Sequence, residues 1–299
     1  MSYLLDLHGH ELGRVVQPAV TPGLAPISSG ESSGRLYAVA GGTMTFYNAR
    51  GAHAGSVPFV AGDNFLGPLF SDDDAQWLWT TGGFDAGAAH PTRLYVGTAS
   101  IPVHQVGQHL DPPGRQLAPV GFANGSFYLS EQATTSGDQV AFPDFQTAWT
   151  LDPGSGALRQ LAGADCHLED VATDGSLLCL DVAHQLLTVR HGNASHVVHY
   201  PGRWDQAGDA AFSPDGTRVV VATATVQQQR GAYLGAASGG EMRALPGSTA
   251  TFLPDGRVLV VGQQGSFDLL AADGSRVVVD VPNEEQTGSF AGVIPHPRG

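Results

Sequence analysis

The sequence predicts an all-β fold: sheets of four short strands repeated around an axis, as a seven-bladed β-propeller. Three observations predict it. One stretch of sequence is written twice, a turn glycine recurs at a steady period, and the strand after each such turn is an unbroken apolar run. A six-bladed ring is the alternative if the terminal pieces do not close. The whole chain, 1–299, is read as a single domain.

The repeated stretch is Ala210-Ala211-Phe212-Ser213-Pro214-Asp215-Gly216-Thr217-Arg218-Val219-Val220-Val221-Ala222. Pro214 pre-sets the backbone for a turn, and Asp-Gly supplies the positive-φ position a tight turn needs. The same pattern returns at Thr251-Phe252-Leu253-Pro254-Asp255-Gly256-Arg257-Val258-Leu259-Val260-Val261. Looser copies surround Gly34, Asp74, Gly125 and Gly175, and the chain stops just after a last one at Gly299. The markers stand at 34, 74, 125, 175, 216, 256 and 299, in steps of 40, 51, 50, 41, 40 and 43. That is the period of a four-stranded blade.

The second half of the unit recurs as well. Phe267 to Val279 reads as strand, turn, strand, with counterparts at Phe46–Gly51, Trp149–Gly154 and Leu187–Gly192. At the N-terminus Tyr3–Val16 is this half alone, and 288–295 reads as a first strand with nothing after it. The two ends are therefore expected to share one blade. In stacked sheets a middle strand is buried on both faces and reads as a continuous apolar run, as Val219–Ala222 and Val258–Val261 do.

The Phe-x-Pro-Asp-Gly-x-Arg-apolar pattern resembles the repeat of WD-repeat-like propellers, including the type found in the periplasmic Tol-system protein. The resemblance is fullest over 210–281, and extends to 24–60 and 164–200. The Gly-His and Trp-Asp dipeptides of true WD repeats are missing. Fold is what the resemblance implies, because its Pro, Asp and Gly serve the turn.

Composition narrows the partners. The chain carries 14 basic residues, all Arg, against 28 acidic ones, for a net charge of −14. No basic stripe exists to release counterions from a phosphate backbone, so no nucleic-acid partner is expected, nor an anionic membrane surface. No basic leader or long apolar segment opens the chain. Cys166 and Cys179 are too few for a disulfide framework. In a hairpin they fall at non-opposed positions, so a reduced pair and a cytoplasmic location are expected. The chain is read as a monomer.

Candidate sites lie in the loops opposite the Asp-Gly turns. Two units are longer than the rest, with the excess at Thr80–Thr92 and Glu131–Thr147, and long loops are often functional. These and the linking loops nominate Asp85, His90, Asp144, Trp204 and Asp205 as ligand-binding residues. His167, Glu169 and Asp170 form the densest titratable cluster and are the catalytic candidates, since a His–carboxylate pair does acid–base chemistry near neutral pH. Strand alternation puts His167 and Glu169 on one side and Asp170 on the other. No metal-ligand spacing is present and no metal site is assigned. No glycine loop opens a helix, so a nucleotide is not expected and the cofactor is left unknown. The leading expectation is a non-catalytic recognition module that binds a protein or small ligand through its loop-rich face. The alternative is a hydrolase or lyase acting in a central channel, with or without a metal.

Overall fold

A computed structural model of the chain describes residues 2–5, 11–15, 28–32, 35–40, 42–48, 52–59, 65–71, 75–82, 89–98, 101, 103–133, 140–141, 148–162, 166–181, 184, 186–202, 204, 206–225, 229–253, 255–262, 266–271 and 274–279. The described chain opens on a hairpin of β1 (Ser2–Leu5) and β2 (Glu11–Val15). Six meandering sheets follow, I to VI in chain order. Sheet I holds β3 (Ser28–Ser32), β4 (Arg35–Ala40), β5 (Thr43–Tyr47) and β6 (His53–Pro58). Sheet II holds β7 (Phe65–Phe70), β8 (Gln76–Thr81), β9 (His90–Thr98) and β10 (His104–Asp111). Sheet III holds β11 (Arg115–Ala123) and β12 (Ser126–Ala133), then β14 (Ala148–Leu151) and β15 (Leu158–Ala162), while β13 (Val140–Ala141) leaves it. Sheet IV holds β16 (His167–Val171), β17 (Leu177–Asp181), β18 (Leu186–His191) and β19 (Ala194–His199). Sheet V holds β20 (Gln206–Phe212), β21 (Arg218–Ala224), β22 (Arg230–Ala236) and the short β24 (Arg243–Ala244), while the short β23 (Gly240–Glu241) before β24 joins the edge of sheet IV. Sheet VI holds β25 (Thr249–Phe252), β26 (Val258–Val261), β27 (Phe267–Leu270) and β28 (Arg276–Val279).

The expected hairpins around Gly34, Asp74, Gly125, Gly175, Gly216 and Gly256 are all present, as is the N-terminal half-unit. The expected strand at 288–295 and the turn at Gly299 lie outside the described residues. The turns work as their chemistry requires. Gly216 and Gly256 take φ of +70° and +82°, a region that costs any residue with a Cβ. Asp215 accepts hydrogen bonds from the Ser213 hydroxyl (2.5 Å), the Thr217 hydroxyl (2.8 Å) and the Thr217 amide (3.1 Å). These bonds hold its carboxyl down at about 2. Arg218 donates to the Gly256 carbonyl at 2.5 Å and lies over the Phe252 ring, tying the turn of sheet V to that of sheet VI.

The apolar runs are explained by sheet stacking. Val219 and Val221 enter the core shared with sheet IV, while Val220 between them enters the core shared with sheet VI. Likewise Leu178 and Leu180 of β17 face sheet V, and Cys179 faces sheet III. Trp77 and Trp79 of β8 face sheet I, and Leu78 faces sheet III. Each such buried aliphatic side chain contributes about 1.5–3 kcal/mol. Each first strand packs beside the first strand of the next sheet, from β3 through β7, β11, β16 and β20 to β25.

Two departures stitch sheets that the repeat alone would leave separate. The fourth strand of sheet V is broken in two: β23 pairs in parallel with β19 of sheet IV, and β24 pairs with β22 of sheet V. The Met242 amide between them donates to the His199 carbonyl at 2.8 Å. The long insert of sheet III carries β13, which pairs with β20 of sheet V on the edge that β21 leaves free. Bulges are the other departure. The ladders of β7, β11, β16 and β20 each shift register, at Leu66/Leu69, Pro119/Gly121, Leu168/Asp170 and Gly208/Ala211. In β20 the shift coincides with a φ of +49° at Asp209. Bulges bend a strand and re-aim its side chains.

The cysteines correct the expectation of a reduced pair: Cys166 and Cys179 form a disulfide. Cys166 stands one residue outside the β16 ladder, so the register does not set its distance from Cys179. Their Cα atoms are 4.9 Å apart, within bridging range. The cytoplasmic expectation loses the support it drew from free thiols.

The β13 placement is open to a direct check. Ala141 and Ala207 are Cα partners, so the double variant Ala141→Cys/Ala207→Cys should oxidise to a cross-link found by mass spectrometry of the digested protein. A control pair, Ala141→Cys/Ala250→Cys, should not. Equal cross-linking of both pairs would rule out this path for the insert.

Candidate functional site

His167, Glu169 and Asp170 begin the first strand of sheet IV, and the structure does bring them together. His167 Nε2 lies 3.2 Å from Glu169 Oε1, both side chains being about one-twelfth exposed. The β16 bulge corrects the expected alternation. Leu168 faces Cys179 and Asp170 faces Leu178, so Glu169 is the extra residue, and Asp170 is re-aimed beside it toward sheet V. Both carboxylates then serve the backbone of β20. Glu169 Oε2 accepts from the Ala210 amide at 3.1 Å, and Asp170 Oδ2 accepts from the Phe212 amide at 2.7 Å. Asp170 Oδ1 accepts from its neighbour, the Val171 amide, at 2.7 Å. The residue keeps some surface, but its carboxylate is spent inward. Burial pushes that carboxyl up to about 7, aided by the nearby Glu169 charge and opposed by the two amides. The cluster therefore clamps sheet IV to sheet V, and its carboxylate oxygens are engaged rather than presented to a substrate.

Other His–carboxylate groupings are likewise engaged. Asp111 is buried, accepts from the Thr92 amide and hydroxyl, and meets His109 Nδ1 at 2.9 Å. The same Thr92 hydroxyl accepts from the Leu117 amide of sheet III. Ser176, His191 and Asp174 look like a nucleophile, base and orienting acid. However, Ser176 Oγ and Asp174 Oδ2 both approach His191 Nδ1, at 2.9 and 3.5 Å. A relay needs the two ring nitrogens in separate roles. No group of three or more His, Cys, Asp or Glu among the described residues could hold a metal ion.

The ligand candidates separate. Asp85, Asp144 and Asp205 lie outside the described residues. His90 starts β9 in sheet II, and Trp204 precedes β20, so they stand on different sheets with III and IV between. Trp204 does line a cavity of about 330 Å³ at the junction of sheets V and VI, with Arg230, Tyr233, Leu245 and Pro246. Trp204, Arg230 and Pro246 precede or begin strands at the end of the sheets opposite the Asp-Gly turns, the loop-rich end. The indole is held on three sides. Its N–H donates to the Pro201 carbonyl at 2.8 Å, its ring meets Tyr233 edge to face at 6.0 Å, and it packs on the core of sheets IV and V. Two glycines make the space: a Cβ at Gly231 would come within 3.1 Å of the ring, and one at Gly202 within 2.8 Å of its nitrogen.

Arg230 and Tyr233 are site residues that sequence reasoning missed. A weak signal exists. Arg230 follows three glutamines and precedes a glycine at the start of an apolar strand. That isolates a cation where its neighbours supply no counter-charge.

Asp170 yields a signed pH prediction. Its folded carboxyl titrates near 7 against 3.8 unfolded. Between these values the folded chain holds a proton that the unfolded chain releases, so this group lowers stability as pH rises from about 4 to 7. Asp170→Asn loses one acceptor and should cost about 1–3 kcal/mol near pH 5. The cost should shrink toward pH 8, measured as the difference in urea midpoints. A pH-independent difference would contradict the assignment.

No protein-family model matches the chain, and no curated protein matches it either. Solved structures do. TolB from Acinetobacter baumannii superposes over 78% of this chain and 57% of its own, at 13% identity and a TM-score of 0.50. Hydrazine synthase from Kuenenia stuttgartiensis matches over 87% and 80%, at 16% identity and 0.50. Virginiamycin B lyase from Staphylococcus aureus matches over 86% and 83%, at 9% identity and 0.51. This chain thus spans a little over half of the TolB chain, and at such identities the likeness is one of fold. The fold is that of the β-propellers, the Tol type among them.

Proposed function

We propose that the chain is a single seven-bladed propeller that works as a non-catalytic recognition module, taking its ligand at the loop-rich end. Support for the seventh sector is the β1–β2 hairpin, a half-unit standing outside six sheets of four or five strands. Support for recognition is one observation above the others: the rigid Trp204 wall of the cavity between sheets V and VI. An aromatic anchor held in place before binding loses little entropy on binding. The engaged carboxylates of the His167 cluster point the same way.

A small-molecule thermal-shift screen tests this reading. Ligands of the module should raise the melting temperature, by about 2.7 kcal/mol of stabilisation at a hundredfold excess over Kd. Trp204→Ala should abolish those shifts, while Asp215→Ala at the opposite end should keep them. Hits indifferent to Trp204 would overturn the site. A turnover reaction lost in His167→Ala would overturn the non-catalytic reading in favour of channel chemistry.

A further inference from the structure

We propose that the cavity between sheets V and VI binds a small organic anion with a flat apolar body, the ring lying against Trp204 and the anionic group on the Arg230 guanidinium. This rests on the recognition reading and names its ligand class.

Size comes first. A cavity of about 330 Å³ is at the small end of the roughly 300–1,000 Å³ range for small-molecule sites. It suits one ring system with a short substituent and is too small for a length of peptide. The walls come next. Ala232, Ala244, Leu245 and Pro246 offer apolar surface, and Pro246 has no amide to donate. Trp204 contributes its ring and no donor, because its N–H is already given to the Pro201 carbonyl. Tyr233 meets the indole edge to face at 6.0 Å.

Charge completes the match. The chain carries 28 acidic residues, yet none of the described residues lining this cavity is acidic. Arg230 is the one charged residue among the described residues that line it. Three described arginines meet carboxylates: Arg115 with Glu131, Arg257 with Asp255 and Arg276 with Asp268. Among the described residues no carboxylate pairs with Arg230. The stretch before it, Thr225-Val226-Gln227-Gln228-Gln229, carries no charge in its sequence. A guanidinium left without a counter-ion beside an apolar slot is the complement of a carboxylate on a ring, which it binds by two parallel hydrogen bonds.

Calorimetric titration with three naphthalene probes tests the proposal: 1-naphthoate, the neutral 1-naphthylmethanol and the cationic 1-naphthylmethylamine. The naphthoate should bind roughly tenfold or more tighter than the alcohol, the value of a charge-assisted pair, and the amine should bind weakest. Arg230→Gln, at an exposed position, should bring the acid down to the level of the alcohol and leave the alcohol unchanged. Trp204→Leu should weaken acid and alcohol alike, with folding checked by the melting curve. Equal binding of all three probes, an acid preference that survives Arg230→Gln, or no binding of the acid would each overturn the proposal. Ligands from the screen that depend on Trp204 but are neutral or cationic would overturn this class alone. Ligands that ignore Trp204 would overturn the recognition site with it.

Discussion

The first strand of each sheet has one edge with no partner from its own sheet, and the amides and carbonyls on that edge must be satisfied. A buried backbone polar group without a partner costs about as much as a lost hydrogen bond, on the order of 1–3 kcal/mol. Three solutions appear, on β11 and β20. Leu117 of β11 gives its amide to the Thr92 hydroxyl and receives the Thr80 hydroxyl on its carbonyl, both from sheet II. Ala210 and Phe212 of β20 give theirs to Glu169 and Asp170 of sheet IV. Ala207 and Gly208 of β20 pair with β13, which has crossed from sheet III. In every case the partner comes from an earlier sheet, so a local backbone requirement becomes the bond that holds successive sheets in order.

That requirement also decides where a ligand can go. The side chains that meet the backbone of β11 and β20, from Thr80, Thr92, Glu169 and Asp170, are occupied by the fold. Trp204 and Arg230 line the cavity beside the link from sheet V to sheet VI. There the first strand of VI begins after Pro246-Gly247, and Gly247 packs so closely on Val260 that a Cβ would fall 2.3 Å from it. The sheets meet tightly at that glycine and leave the slot beside it.

Legibility in the sequence follows the range of the interactions. The hairpins at Gly175, Gly216 and Gly256 are readable because Asp-Gly turn chemistry acts within four residues. The buried middle strands are readable because double-sided burial leaves a compositional mark in Val219-Val220-Val221. The crossing of β13 is not, since Val140-Ala141 and Ala207-Gly208 are far apart in sequence and neither pair is distinctive. The bulge in β16 is not readable either. One extra residue in a ladder has no composition of its own, and it reverses the side on which Asp170 falls. The acidic cluster was therefore visible while its role was not. The disulfide shows the same limit, because two residues diagonal in register come together only through the path of the chain outside the ladder.

On the proposed reading, the rigidity of Trp204 suits recognition rather than chemistry. A reaction requires groups that change hydrogen-bonding state along its path, and the indole N–H is fixed on a backbone carbonyl. Gly202 and Gly231 leave no slack around the ring: each admits it because a side chain would collide with it. An aromatic face set so firmly has one orientation to offer, so selectivity must come from what stands opposite. Arg230 at the head of β22 lines the same cavity, and the sheet that carries it is the one that IV clamps through Glu169 and Asp170. The hydrogen bonds that occupy Glu169 and Asp170 are thus the ones that tie sheet V, which carries Arg230 and Tyr233, to sheet IV.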